Sequence, residues 1–96
     1  MVYVVSKNFV KPENHEIFLK LAKEMVDLTR LEDGCIQYVL TKTDSNPDIL
    51  VYCETWESRA QLDAHLQSEH IKRIGPTLAP YRYQPSELLI LEDAHK

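Results

Sequence analysis

The chain has 96 residues, 44% of them hydrophobic, which suits one compact domain with a modest core and leaves too little for two. Its formal charge of −4 comes without a Lys/Arg run or a basic stripe, so nucleic acid and anionic membrane surfaces are poor partners, because both require clustered cations. The opening residues, MVYVVSKNFV, lack a charged leader and a cleavage-site pattern, and no apolar run approaches a membrane span, so a cytoplasmic protein without membrane contact is expected.

Val2 to Val10 alternates as a strand, with Val2, Val4, Ser6, Asn8 and Val10 on one face and Tyr3, Val5, Lys7 and Phe9 on the other. Pro12 then suits the first turn of a helix, along which Ile17, Phe18, Leu21, Ala22, Met25, Leu28 and Thr29 recur at helical spacing until Gly34 supplies a stop signal. Cys35 to Thr43 reads as a second strand, DSNPD as a turn, and Ile49 to Trp56 as a third strand paired with the second in a hairpin. Ser58, with Gln61 three residues on, is a capping box opening a helix from Arg59 to Leu66. Ser68 can cap a second short helix, Glu69 to Ile74, which puts His70 in its first turn. The segment GPTLAPYRYQPSE carries three prolines and is expected to be a loop leading to a last strand, Glu87 to Glu92.

The order strand, helix, strand, strand, helix, strand defines an α+β class, ferredoxin-like β-α-β-β-α-β with an antiparallel sheet, as one domain over residues 1–96. Helices cover one face of such a sheet, yet both faces here are apolar: Val2 and Val4 against Tyr3 and Val5; Ile36, Tyr38 and Leu40 against Val39; Leu50 and Tyr52 against Ile49 and Val51. No further helix exists to cover the second face, so a homodimer through the sheet is expected, and a cavity between sheet and helices is the natural ligand site.

The chemistry is concentrated between Leu50 and His70. His65 borders the apolar stripe of its helix, where burial favours a neutral imidazole able to accept a proton; it can equally be a buried histidine satisfied by a carbonyl. His70 sits at the positive end of a helix dipole, which also disfavours the imidazolium. Five residues apart on one unbroken helix the two rings would diverge, so only a break near Ser68 lets both face one cavity. Trp56 is either a cavity wall or an anchor joining sheet to helix, and Glu54 on the same strand face must be paired or protonated if buried. Asn8 can orient a substrate oxygen. Cys35 and Cys53 lack C-x-x-C spacing and are expected as buried free thiols, while H-x-x-x-x-H without a third ligand is weak evidence for metal.

The string ETWESRAQLDAHLQSEHIK, set behind a hairpin strand, resembles the antibiotic biosynthesis monooxygenase (ABM) domain family, and most closely its small bacterial quinol monooxygenases. The matching positions are Glu54, Trp56, Ser58, His65, Ser68 and His70, and the family's element after the first helix appears as Asp33, Gly34 and Cys35. The resemblance implies a dimeric α/β barrel and oxygenation of a small electron-rich aromatic, a quinol or other hydroxylated ring, by dioxygen with no flavin, haem or metal. It also argues against the haem-degrading branch, since His65 stands where that branch has a tryptophan and Gly75 near where it has a haem-ligating histidine. On this reading His65 is the first candidate base and His70 the second, Asn8 donates to developing negative charge on oxygen, and Trp56, Tyr52, Tyr38, Leu66 and Glu54 surround the substrate. The same residues also fit an isomerase of a small hydroxyketone signalling adduct, or a non-catalytic ligand-binding or stress-response dimer.

Overall fold

The computed structural model describes residues Met1 to His95. Four strands, β1 (Val2–Phe9), β2 (Cys35–Lys42), β3 (Ile49–Trp56) and β4 (Glu87–Glu92), form one antiparallel sheet in the order β2-β3-β1-β4. Three helices, α1 (His15–Thr29), α2 (Arg59–Leu66) and α3 (Glu69–Leu78), lie over it, with one 3-10 turn, Pro12–Asn14, leading into α1 and another, Ala79–Tyr81, following α3. This is the ferredoxin-like α+β architecture expected from the order of elements.

Register decides which side chains meet the helices. Val4 pairs with Glu54, Ser6 with Tyr52 and Asn8 with Leu50, and partners directly opposite share a face, so the buried set of β1 and β3 forms one continuous surface. On it packs α1, whose Phe18, Ala22, Met25 and Thr29 follow the i, i+4, i+7, i+11 stripe and are all buried. Phe18 and Trp56 are fully enclosed, and each such side chain contributes about 2–3 kcal/mol of burial free energy.

Two expectations fail for identifiable reasons. The stretch from Gly75 to Leu78 is not loop: α3 continues through Pro76, because Ile74 and Leu78 are both buried one helical turn apart and their packing outweighs the lost Pro76 N–H bond. Ile36 does not share the face of Tyr38, because a bulge between Cys35 and Gln37 inserts an extra residue and leaves Ile36 half exposed.

Among the described residues no helix lies on the opposite face of the sheet. Tyr3, Val5, Val51 and Cys53 are half-buried there, and Leu89 and Leu91 on β4 are exposed. Cys35 and Cys53 are both free thiols, and burial pushes the Cys35 thiol up, away from thiolate reactivity. Among the described residues no helix is long and apolar enough to cross a membrane.

Candidate active site

A cavity of about 150 Å³ lies between the inner face of the sheet and the three helices. Asn8, Tyr38, Tyr52, Glu54, His65, Leu66 and Arg82 are among its lining residues, and the exposed side chains of Leu66 and Leu88 mark its mouth.

Local capping builds the histidine pair. Ser58 Oγ accepts the Gln61 N–H at the start of α2, although its hydroxyl also donates to Gln61 Oε1 at 3.1 Å, so the reciprocal bond of a full capping box is replaced by one between side chains. The helix stops at Leu66, and Ser68 Oγ accepts the Ile71 N–H to start α3. That break turns the two imidazoles toward each other, with ring centroids 5.9 Å apart.

Between them stands a group that the sequence reading did not single out. Helix α1 ends at Thr29, five residues before the glycine, and two tight turns (Leu31 N–H to Leu28 O, Glu32 N–H to Thr29 O) roll the chain back so that Glu32 reaches both histidines. Gly34 completes the reversal at φ +82°, a conformation that favours glycine, and a methyl group there would also displace the end of the Gln61 side chain. Glu32 Oε2 lies 2.6 Å from His65 Nδ1 and 3.0 Å from His70 Nε2, and His70 Nε2 is also 3.1 Å from Thr29 Oγ1.

An ionised Glu32 can only accept, so it takes the Nδ1 proton of His65 and leaves Nε2 as the lone-pair nitrogen. Nε2 has no hydrogen-bond partner among the described residues. The ring borders the cavity, is 2% exposed, lies 4.8 Å from the Trp56 ring at 32° and meets Tyr38 edge-on at 5.5 Å. Burial pushes the His65 pKa below its ordinary value, and the adjacent Glu32 opposes that push.

Of the residues expected to form the site, His65, Asn8, Tyr38, Tyr52, Leu66 and Glu54 do line the cavity. Trp56 does not: it is wholly buried behind His65, and its Nε1–H donates to Glu54 Oε1 at 3.0 Å, which makes it the anchor and not the wall. Nor does His70, whose Nε2 is turned to Glu32 and Thr29. The Asn8 amide is already engaged, its Nδ2–H donating to Ser6 O at 3.1 Å and its Oδ1 accepting from Arg82 Nε–H at 2.8 Å. Burial raises the Glu54 carboxyl to about 7, the Trp56 bond opposing and the charge of Glu32 assisting. Tyr38 and Tyr52 are likewise raised by burial, Tyr52 to about 12.

Glu32 is the third group that H-x-x-x-x-H lacked. Among the described residues, Glu32, His65 and His70 are the set whose donor atoms, all within 4.8 Å of one another, could hold a metal ion. The short contacts to one carboxylate oxygen are equally those of a hydrogen-bonded relay.

Fold and site together define a ferredoxin-like domain in which a buried imidazole, hydrogen-bonded to a half-buried carboxylate, borders a small cavity. The antibiotic biosynthesis monooxygenase (ABM) family model matches residues 1–76, and the chain belongs to that family. The uncharacterized protein sll1783 of Synechocystis is 29% identical over 92 residues, 95% of this chain and 63% of that protein, so the chain spans less than two thirds of this relative. The Escherichia coli protein named "Probable quinol monooxygenase YgiN" is 30% identical over 82 residues, covering 75% of this chain and 79% of its own length. A conserved protein of Methanosarcina mazei superposes with a TM-score of 0.90 at 38% identity, over 94% of this chain and 89% of that one.

Proposed function

We propose that the protein is a cofactor-independent monooxygenase of a small quinol or related hydroxylated aromatic. The observation that carries this reading is the orientation of His65: Nδ1 is committed to Glu32, and the remaining nitrogen belongs to a ring that borders a cavity with apolar walls. A void of this size is about what a single benzene ring occupies.

Dioxygen reacts slowly with closed-shell organic molecules, whereas a quinolate anion can pass it one electron. His65 Nε2 takes the ring hydroxyl's proton, and the imidazolium is stabilised by the Glu32 carboxylate 2.6 Å away. Electron transfer and recombination give a ring hydroperoxide. Loss of the adjacent C–H proton with O–O cleavage leaves one oxygen on the ring as a hydroxyquinone and releases the other as water. Glu54, whose carboxyl keeps its proton up to about pH 7 where an ordinary glutamate has lost it, supplies a proton to the departing oxygen. Met25, Leu66, Ile71 and Leu78, which line the cavity beside the polar groups, limit the water that would quench the anion.

Oxygen-electrode measurements with a one-ring quinol and with a menadiol-type quinol, autoxidation subtracted, test the proposal. Uptake above autoxidation, stoichiometric with hydroxyquinone and abolished by anaerobiosis, is the expected result. Conversion of a hydroxyketone that runs equally well without oxygen would make the protein an isomerase. Saturable binding without turnover under either atmosphere would make it a binding protein.

The same proposal has two copies meeting through their uncovered sheet faces. Support comes from the exposed Leu89 and Leu91 beside half-buried Val5 and Val51, an apolar surface of the kind that monomers seldom leave open. Sedimentation at micromolar concentration is expected to give a dimer for the wild type and a folded monomer for Leu89→Arg. A wild-type chain sedimenting as a folded monomer would remove the dimer.

A further inference from the structure

Arg82 is a half-buried cation without an acidic partner. It follows α3 in the proline-rich segment, bridges the backbone of Val10, and lies with its guanidinium carbon 5.6 Å from the Phe18 ring centroid. Its Nε–H donates to Asn8 Oδ1 at 2.8 Å, and the Asn8 amide is held in that sense by its own bond to Ser6 O. No carboxylate among the described residues forms an ion pair with Arg82, and its two Nη groups have no hydrogen-bond partner there. Burying a cation this far without a counter-ion is unfavourable, and burial does lower the Arg82 pKa. A second, independent observation points the same way. Among the described residues the Tyr52 hydroxyl is the buried side-chain polar atom that has no hydrogen-bond partner, on a residue only 5% exposed.

Both groups line the cavity, and the strand register orders them. Asn8, which holds Arg82, pairs with Leu50; Tyr52 and Glu54 come next along β3; Trp56, against which His65 packs, stands at the far end. Tyr38 stands between the two ends, its ring centroid 5.3 Å from that of Tyr52 and 5.5 Å from that of His65, and the cavity all three border has about the volume of a single aromatic ring.

We propose that Arg82 and the Tyr52 hydroxyl form an anion subsite, and that the substrate is a hydroxylated aromatic carrying a carboxylate there while its ring hydroxyl meets His65. A guanidinium with free Nη groups matches a carboxylate in a bidentate fork, whereas a second neutral hydroxyl would satisfy Tyr52 and leave the cation unbalanced. Asn8 is then a positioning residue for Arg82. The proposal names the substrate class of the oxygenase site and rests on that reading for the role of His65, but the subsite itself is a matter of binding.

The test compares 2,5-dihydroxybenzoate with hydroquinone, by anaerobic calorimetry and by aerobic oxygen uptake. The wild type is expected to bind the carboxylated ring roughly tenfold to a hundredfold more tightly than hydroquinone, the range of a charge-assisted pair. Arg82→Gln and Tyr52→Phe are each expected to reduce that ratio, Arg82→Gln to about one, and Arg82→Lys to restore part of it. Equal wild-type affinities, or a preference that survives Arg82→Gln, would overturn the subsite. Carboxylate preference without oxygen uptake would retain the subsite and remove the oxygenase. Uptake from hydroquinone with no carboxylate preference would retain the oxygenase and remove the subsite.

Discussion

Replacing His65 with alanine is expected to lower enzymatic oxygen uptake by roughly 10²–10⁴-fold, the usual contribution of a positioned general base. The quinol hydroxyl must lose its proton before an electron can reach oxygen, and His65 is the cavity residue with a free lone pair on nitrogen. Because burial holds its pKa below the ordinary histidine value, the neutral base persists on acidification further than a solvent-exposed histidine would, and the acid limb of kcat/KM begins only below that point, while ionisation of Glu54 sets the alkaline limb. Glu32→Gln separates positioning from structure. It removes the charge that raises the His65 pKa, so the acid limb moves to still lower pH while the plateau drops, because the imidazolium loses its counter-ion. A pH profile for Glu32→Gln superposable on the wild type, or an undiminished rate for His65→Ala, would remove histidine base catalysis. Dialysis against a chelator is expected to leave the wild-type rate unchanged. A rate lost on chelation and regained with a divalent ion would reassign Glu32, His65 and His70 as metal ligands.

Much of the scaffold was legible because its signals are local. The limits of β3, α2 and β4 follow from alternation and from Ser58, all within a few residues of the boundary they set. The break at Ser68, which lets the histidines converge, is likewise a cap written in the chain. What could not be read depends on packing between distant segments. Pro76 is a local helix-breaking signal overruled by the burial of Ile74 and Leu78. Spacing leaves Trp56 open as wall or anchor, and its bond to the Glu54 carboxylate, behind His65, makes it the anchor. Glu32 and Arg82 lie in connecting segments, where periodicity carries no information. The signal for Glu32 was its place between a helix end and Gly34, where a sharp reversal had to aim some side chain inward. Asn8 was recognised as a polar residue on an apolar face, and its partner, 74 residues away, was not recoverable from spacing.

Glu54→Gln is expected to stabilise the protein above neutral pH, by about 3–4 kcal/mol at pH 8, and to confer no advantage near pH 4. The wild-type carboxyl is 8% exposed and raised to about 7 in the folded chain, against about 4.3 for an unfolded glutamate. A raised carboxyl means that the folded state holds its proton where the unfolded state has lost it. The resulting stability is complete below about pH 4.3 and is lost as pH rises through about 7, where an ionised carboxylate must be kept against the indole and the two tyrosines. Glutamine retains an oxygen to accept the Trp56 Nε1–H and never ionises, so it removes the loss without removing the bond. A domain of this size gains about 4–8 °C in Tm per kcal/mol, so thermal scans at fixed protein concentration should separate the two proteins by on the order of 20 °C at pH 8 and bring them together near pH 4. Curves separated by the same amount at both pH values would mean that Glu54 does not titrate inside the fold, and would withdraw it as the proton donor to the departing oxygen.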